Sequence, residues 1–480
     1  MGRLARASAL QFIVRIGQTV AGAIATIYFV RELGVDTFGF YVLTMATVNW
    51  ITVPSVGIRS SVMKRVSDSE RRSRFYSAGV VLQSAFVLFA ALVLYLLRNQ
   101  VNDYIGLPPG PYGLDAVGVI TAILAATSSA NIFLAVIRGE GRLEISSVFE
   151  GIWGVLRPGL QVGLVVFGGG VFALLAGEFF AAAFIVGVTP VVVNARFVLP
   201  TSDEFKQLYD YGRYSWLSNL KSMSYSWLDT IILGLFVGKA LIGTYEVAWR
   251  ISALFTILPA SFGKTLFPTV SEYSSQDRYE DIAEAVGRSL SFATLFAIPG
   301  LVGALIIGDG VLSLYGKSVT DISAGYSILA ILCIGRVVES GEIILMQVLN
   351  ALDLPERTFK ISIIFVISNI VLNGILISIF GVVGAAVATS TSIAVGTALA
   401  VRALPDELNL KFDSEVIKSQ VVASLIMAVV LLGMIQMASP ESELLVLVYV
   451  GIGGTVYFIS LSVLSEKTKR QISSMVNYRG

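Results

Sequence analysis

The sequence is dominated by apolar stretches, each about as long as a helix that crosses a lipid bilayer. A bilayer core about 30 Å thick needs about 20 apolar residues per helix, and lipid offers the backbone no hydrogen-bond partners. We therefore predict an all-α, polytopic membrane protein. Fourteen stretches are predicted to span the membrane, near residues 8–30, 38–58, 75–97, 113–137, 147–167, 171–193, 214–236, 241–263, 289–307, 325–349, 359–380, 382–401, 416–437 and 444–464. Two pairs of them nearly touch, at glycines 168–170 and at Gly381.

The N-terminus fits two interpretations. Arg3 and Arg6 precede an apolar run, as in a signal peptide, and residues 21–23 resemble a cleavage site. However, Arg15 and Gln18 interrupt this run, which is also longer than the apolar region of a signal peptide. We therefore predict an uncleaved first helix.

Residues that most enzymes need for catalysis are scarce. The chain has no histidine and one cysteine, Cys333, which excludes a Ser-His-Asp triad, an internal disulfide and a thiolate metal cluster. It contains no D-x-D or H-E-x-x-H motif, and "GVLSLYGKS" at 310–318 is one residue too long for a P-loop. We predict that the protein is not an enzyme and uses no cofactor or metal, and we expect no nucleic-acid partner.

Lys and Arg are distributed unevenly among the predicted loops. Of the 34 cationic residues, 25 lie in the termini and every second loop, whereas the other loops hold four. The positive-inside rule then predicts an even number of spans with both termini in the cytoplasm, in the cytoplasmic membrane. The densest cluster is either a topology determinant, which we favour, or a binding patch for anionic lipid or a phosphorylated substrate. This cluster consists of Arg59, Lys64, Arg65, Arg71, Arg72 and Arg74.

A short motif, G-x-x-x-x-G-x-Y, occurs twice. It lies within "FVRELGVDTFGFYVL" at 29–43 and again within "LFVGKALIGTYEVAW" at 235–249, at an offset of 204 residues. We interpret each copy as a turn between two helices, in which the glycines permit a tight reversal and the Tyr sits at the membrane interface. A second pair of segments, "FGGGVFALLAGE" and "FGVVGAAVATST", aligns at an offset of 213.

The repeat predicts two pseudo-symmetric lobes of six helices each. Residues 1–194 form the N-lobe, residues 195–402 a cytoplasmic linker and the C-lobe, and residues 403–480 a C-terminal helix pair and tail. Both lobes begin on the same side, so the repeat is parallel. Such repeats are typical of alternating-access transporters, with the substrate near the midplane between the lobes.

The chain resembles the polysaccharide transporter family of Wzx-like flippases, in the multidrug/oligosaccharidyl-lipid/polysaccharide (MOP) exporter superfamily that also holds the MATE exporters and MurJ. The resemblance rests on "RELGVDTFGFY" at 31–41, "GTYEVAWRI" at 243–251, "LFPTVSE" at 266–272 and "FGVVGAAVATS" at 380–390. It implies a MATE/MurJ-like fold and a cationic cavity that holds the anionic head of a polyprenyl or dolichyl carrier.

Charged residues inside predicted spans are candidates for function, because burying a charge at mid-bilayer costs about 2.5 to 3.5 kcal/mol. The cationic ones are Arg15, Arg157, Lys221, Arg250 and Arg336. Two of them have a carboxylate on the same helix face, in the pairs Glu246–Arg250 and Arg336–Glu339, so structural ion pairing is the alternative for these. Glu150 also lies on the face of Arg157, two turns away.

Phosphate fits these cations, since a guanidinium offers two parallel donors and Lys a point charge. Arg15 in span one and Lys221 in span seven occupy equivalent positions in the repeat. The predicted binding residues for the phosphate head are Arg15, Lys221, Arg157 and Arg250. Predicted sugar contacts, for which plain helix packing is the alternative, are Asn49, Trp50, Asn219 and Trp227. Candidate coupling carboxylates, for which interhelix pairing is the alternative, are Glu178, Asp229 and Glu342.

These residues and the family resemblance predict a flippase for a lipid-linked oligosaccharide in cell-surface polysaccharide or glycoprotein biosynthesis. Its partners would be the glycolipid substrate, membrane lipids and a coupling cation, H⁺ or Na⁺, and we expect a monomer. The main alternative is a MATE-like exporter of drugs or other small molecules, whose organic-cation cavities are acidic or aromatic rather than basic. An inert membrane scaffold is a further alternative, but it would not need the charged residues within the spans.

Overall fold

In the computed structural model, the described residues form helices and no strand, which confirms the all-α class. The description covers residues 2–68, 71–215, 220–408, 410, 413–438 and 442–465. Within these ranges it omits the side chains of residues 2–16, 112, 214, 215 and 220. The chain divides into a first unit, Met1–Gly243, and a second unit, Thr244–Gly480.

The first unit is built from long helices with one short helix and one amphipathic helix among them. Their bounds are α1 Gly2–Ile51, α2 Val53–Asp68, α3 Arg72–Leu96, α4 Arg98–Ile105, α5 Ala116–Gly139, α6 Leu143–Val166, α7 Gly170–Val192, α8 Ser202–Ser215 and α9 Leu220–Phe236. The amphipathic helix α8 packs on α2 through Leu208, which joins a cluster of apolar residues from α2, α3 and α5.

The second unit contains most of α10 and all later helices. Their bounds are α10 Lys239–Ala253, α11 Ile257–Ser274, α12 Tyr279–Ala293, α13 Ala297–Ser313, α14 Lys317–Thr320, α15 Ala324–Ala351, α16 Pro355–Phe380, α17 Val382–Arg402, α18 Ser414–Met437 and α19 Glu443–Leu464. The last two helices pack against α13 through a cluster that includes Ile307, Leu431 and Tyr457.

Helix α1 is interrupted at Gly34, whose φ of 81° is left-handed and favours glycine. Gln18 contacts Glu150 of α6, and Tyr41 contacts Gln161 of the same helix. Those two α6 residues are about 16 Å apart along the axis, whereas a straight helix would separate residues 18 and 41 by about 34 Å. The chain therefore folds back at Gly34, as the first copy of the motif predicts.

Glycines also separate the spans that nearly touch in the sequence. Gly168, in the short turn between α6 and α7, and Gly170, the first residue of α7, have positive φ angles of 82° and 54°. Gly381, with φ of 58°, is the only residue between α16 and α17. The predicted breaks at both places are confirmed, because a left-handed backbone ends a right-handed helix.

Among the described residues, nine helical stretches are long and apolar enough to cross a membrane, and a bent pair raises the number to ten. The bent pair joins Gly17–Ile51 to Val53–Asp68 at an angle of 52°. The remaining described helices are too short or carry too many charges to meet these criteria. Helix α9, for example, has 17 residues. The protein is thus a multi-pass membrane protein, and the total of fourteen spans stays a prediction.

Candidate functional site

In the first unit, Arg157 on α6 pairs with Glu178 on α7 across 3.5 Å. The carboxylate of Glu178 is almost fully buried, but 41% of the Arg157 side chain is exposed, so a ligand can reach the guanidinium. Gln161, one turn further along α6, donates to the hydroxyl of Tyr41 at 3.2 Å and to the carbonyl of Leu174 at 2.8 Å. Arg157 thus pairs with a buried carboxylate of α7, and Gln161 joins the same part of α6 to α1 and α7.

Glu150 does not pair with Arg157. Its carboxylate forms an ion pair with Arg138 at the end of α5, and the hydroxyl of Ser146 donates to it at 3.0 Å. The backbone carbonyl of Glu150 accepts from Gln18 at 2.6 Å. The side chain of Gln18 lies against Gly154, where a Cβ would come within 2.1 Å of Gln18 Nε2. This close approach brings the first helix onto α6.

In the second unit, Arg336 on α15 is the most buried cation that the structure describes, with 2% of its surface exposed. It pairs with Glu339 at 2.7 Å, as the spacing predicts, and donates to the hydroxyl of Ser252 at 3.2 Å. Its guanidinium also stacks 4.1 Å from the centre of the Trp249 ring. The sequence pattern revealed the pair but not the two partners on α10.

The second predicted pair also forms on α10. Arg250 Nε donates to Glu246 Oε1 at 2.7 Å, and the carboxylate is buried while 37% of the Arg250 side chain is exposed. As with Arg157, one partner is shielded and the cation is accessible. An accessible guanidinium beside a shielded carboxylate suits reversible contact with an anion, because its compensating charge stays in place when the ligand leaves.

The candidate coupling carboxylates are all buried. Glu178, Asp229 and Glu342 expose 3%, 4% and 5% of their surfaces, so each is shielded from lipid and from bulk water. Glu342 lies against Gly396 of α17, where a Cβ would stand 2.6 Å from the carboxylate oxygen. Shielded carboxylates in a membrane protein need a compensating proton, cation or partner.

The predicted sugar-contact residues are described only in part. Asn49 and Trp50 lie at the end of α1, where the Asn49 amide donates to its own helix at Met45 O, 2.7 Å away. Trp50 is partly buried, and its indole nitrogen has no hydrogen-bond partner among the described residues. Trp227 is partly buried on α9, and Lys221 is partly buried in the first turn of the same helix. Asn219 and the side chain of Arg15 lie outside the described residues.

A buried polar cluster on α16 and α17 was not predicted from the sequence. The amide of Asn369 donates to the hydroxyl of Thr389 at 3.0 Å, and the amide of Asn373 donates to the carbonyl of Asn369 at 2.9 Å. The spacing of the two Asn residues, four apart in an apolar run, is the signal that would have found it.

An apolar cavity of about 440 Å³ lies between α13, α15 and the last two helices. Its walls include Phe255, Phe296, Pro299, Met427 and Tyr457. Gly300, Gly453 and Gly454 leave room along these walls, because they carry no side chain. The cavity suits a hydrocarbon chain rather than a charged or sugar group.

Comparisons with known proteins agree with a glycan-related role. The model of the family described as "Polysaccharide biosynthesis protein" matches residues 29–324. The chain is 42% identical over 480 residues to the "Probable flippase AglR" of Haloferax volcanii, covering 99% of each chain. It is 29% identical over 465 residues to the "Probable low-salt glycan biosynthesis flippase Agl15" of the same organism, covering 95% of this chain and 94% of the relative. Among solved structures, the lipid II flippase MurJ in an inward closed conformation has the same fold, with a TM-score of 0.75 at 15% identity, covering 95% of this chain and 98% of MurJ.

Proposed function

The chain belongs to the polysaccharide biosynthesis protein family of Wzx-like MOP flippases, and we propose that it moves a lipid-linked oligosaccharide across the cytoplasmic membrane. The observation that carries this proposal is the 42% identity, over 99% of both chains, to a probable flippase. The glycolipid would serve cell-surface polysaccharide or glycoprotein biosynthesis. Transport would proceed by alternating access of two lobes, residues 1–194 and the C-lobe within 195–402, with both termini in the cytoplasm and a monomer as the working unit.

The phosphate or pyrophosphate head of the lipid would bind to cations within the spans. Arg157 and Arg250 support this role, since each presents an accessible guanidinium whose charge is balanced by a shielded carboxylate. Arg15 and Lys221 complete the proposed set from their equivalent positions in the repeat. Guanidinium groups bind phosphate oxygens in pairs, and an ammonium group adds a point charge.

The sugar and the lipid tail need different surroundings. Asn49, Trp50, Asn219 and Trp227 would contact the sugars through hydrogen bonds and stacking. The tail would occupy the apolar cavity beside the last two helices, whose walls expose almost no polar surface. Hydrocarbon gains about 0.8 kcal/mol per buried CH₂ group relative to water, so a tail that leaves lipid must find an apolar surface.

Glu178, Asp229 and Glu342 would couple transport to a cation, either H⁺ or Na⁺. Their burial supports this role, because a shielded carboxylate is stabilised by binding a proton or a metal cation. Glu178 would act through Arg157. Binding of a cation to Glu178 would cancel the negative charge beside Arg157, so the guanidinium would attract a phosphate more strongly.

The test is accumulation of lipid-linked glycan on the cytoplasmic side of cells that carry each variant. We expect the double variant Arg15→Gln, Lys221→Gln to block translocation while the protein stays inserted and abundant, because a neutral residue is cheaper to bury than a charge. Arg15→Lys should keep only part of the activity, since it loses the bidentate fork. Arg72→Gln, which removes an exposed cation, is the matched control. Full transport by the double variant would refute the head-binding site, and export of an organic cation would refute the flippase.

A further inference from the structure

In the structure, only some cations of the dense cluster at residues 59–74 form ion pairs with described carboxylates. Lys64 pairs with Asp68 at 2.7 Å, and Arg71 reaches Asp203 and Glu204 of α8 at 3.0 Å. The Arg71 pairs thus join the loop to the linker helix α8, whereas the Lys64–Asp68 pair lies within α2. Within the described part of the chain, Arg59 has no such carboxylate.

Arg59 instead lies near a second guanidinium, that of Arg138. The two charges repel one another, and the Nε of Arg59 is buried without a hydrogen-bond partner among the described residues. Their approach is imposed by the packing of α2 on α5. A Cβ at Gly139 would lie 2.7 Å from the carbonyl of Met63, so the two helices are as close as glycine allows.

A carboxylate pairs with only one of these two cations, Arg138. Arg138 pairs with Glu150 and donates from its Nε to the hydroxyl of Ser146 at 2.9 Å. The side chains of Arg138 and Glu150 are 38% and 37% exposed, so the cluster is open to a ligand. Two guanidiniums and one carboxylate leave a net positive charge at a place where α2, α5 and α6 meet. Like charges held together need a further anion to offset their repulsion.

From this arrangement we infer that Arg59 and Arg138 form a second phosphate-binding site, separate from Arg157 and the other proposed head-binding residues. Each guanidinium offers paired donors to phosphate oxygens, and the phosphate would take over the Arg59 Nε–H that no described group accepts. Glu150 acts as an internal competitor that balances Arg138 when no ligand is bound. The inference rests on the proposed function only for the source of the phosphate, which would be the headgroup of the lipid carrier arriving from the cytoplasm.

Binding to purified full-length protein tests this site without transport. The protein would be placed in phosphatidylcholine nanodiscs in the Arg15→Gln, Lys221→Gln background, which weakens the other proposed site, and titrated with farnesyl phosphate, inorganic phosphate and farnesol. We expect farnesyl phosphate to bind, and Arg59→Gln or Arg138→Gln to weaken it about tenfold through the loss of charge-assisted hydrogen bonds. Arg72→Gln, from the same cluster, should leave the affinity unchanged.

We expect Glu150→Gln to change the affinity for farnesyl phosphate in the opposite direction. Removing the competing carboxylate should strengthen farnesyl phosphate binding several-fold, whereas a purely structural role for the cluster predicts weaker binding in all three variants. Equal binding of inorganic phosphate would identify free phosphate as the ligand, and binding of farnesyl phosphate alone would identify a lipid headgroup. Equal binding of farnesol, or an unchanged affinity in Arg59→Gln, would overturn the inference. Neither outcome depends on whether the background variant still transports glycolipid, so the proposed function is tested separately.

Discussion

Gly39 and Gly243, which are equivalent positions in the internal repeat, lie directly against one another. A Cβ at Gly39 would stand 1.9 Å from the carbonyl oxygen of Lys239, and a Cβ at Gly243 would stand 2.2 Å from that of Val35. No rotamer change relieves these clashes, because the obstacles are backbone atoms. The second glycine of each motif thus serves close helix packing, and the motif occurs twice because the contact needs a glycine from each copy.

We expect Gly39→Ala or Gly243→Ala to destabilise the protein, because a methyl group would push α1 away from the start of α10. Overpacking against side chains costs about 1 to 3 kcal/mol, and backbone yields less easily. The measurement is the thermal unfolding midpoint of the purified protein in detergent, together with glycolipid transport in cells.

Gly22→Ala is the matched control in the same helix, since a Cβ there has nothing within 4 Å. It should leave the midpoint unchanged or raise it slightly, because alanine favours a helix more than glycine does. A Gly39→Ala variant as stable and active as Gly22→Ala would show that the two helices do not need this contact.

We expect substitution of Arg336 to destabilise the protein strongly, because several buried groups contact its guanidinium. Arg336→Gln would leave the buried carboxylate of Glu339 without its ion pair and remove the stacking on Trp249. Breaking a buried pair on one side costs about 3 to 5 kcal/mol, so we expect little folded protein in the membrane. The measurement is the yield of monodisperse protein after detergent extraction.

A second substitution separates charge from packing. Arg336→Gln combined with Glu339→Gln removes both charges and should recover part of the yield. Arg288→Gln, which breaks an exposed pair with Glu284, is the control and should change stability by less than about 1 kcal/mol. If the double variant were no better than Arg336→Gln alone, the loss would come from the contacts with Trp249 and Ser252.

Apolar run length and glycine positions were sufficient to predict the class of fold and several helix boundaries. Gly34 and Gly381 break helices where the sequence indicates, because their left-handed backbone is accessible to glycine. The predicted position of the motif tyrosines at the membrane interface stays a prediction, whereas their burial was not predicted: Tyr41 and Tyr245 expose 8% and 2% of their surfaces. Tyr41 accepts a hydrogen bond from Gln161, a contact between residues 120 apart that periodicity cannot predict.

Ion pairs within one helix turn were predictable, and pairs between helices were not. Glu246–Arg250 and Arg336–Glu339 follow from helical spacing alone. Arg157 pairs with Glu178 rather than with Glu150, because α7 packs on α6 and brings a nearer carboxylate. The linker helix α8 was also missed as an element, although Thr201 and Glu204 have the spacing of a capping box.

The linker helix should loosen in acid. Hydrogen bonds from Thr201, together with the nearby Arg71 guanidinium, lower the pKa of Glu204, and hydrogen bonds from Arg71 and Gln207 lower the pKa of Asp203. A lowered folded-state pKa stabilises the fold above the unfolded-state values, about 4.3 for Glu and 3.9 for Asp, and the stabilisation is lost as pH falls through the folded-state pKa. The thermal midpoint of the wild type should therefore drop from pH 6 toward pH 3.

Glu204→Gln isolates the contribution of one carboxylate. The variant should be less stable than the wild type at pH 6, and the difference should shrink as the pH approaches 3, since glutamine does not titrate. Glu284→Gln, at an exposed ion pair, is the control and should follow the wild-type profile. A wild-type advantage that stayed constant down to pH 3 would contradict the assignment to Glu204.

Variants of the Arg157–Glu178 pair can distinguish a role in transport from a purely structural role. Arg157→Gln alone should lower both expression and transport, because it leaves the carboxylate of Glu178 buried without its ion pair. Adding Glu178→Gln removes that carboxylate, so the double variant should be as abundant as the wild type. Transport by the abundant double variant should stay low if either residue takes part in transport, and partial transport by Arg157→Lys, which keeps Glu178 and the positive charge, would assign phosphate binding to the exposed guanidinium of Arg157. The measurement pairs membrane abundance with accumulation of cytoplasmic-facing lipid-linked glycan. Transport restored along with abundance in the double variant would assign the pair to stability alone, and would remove Arg157 from the proposed binding residues and Glu178 from the proposed coupling carboxylates.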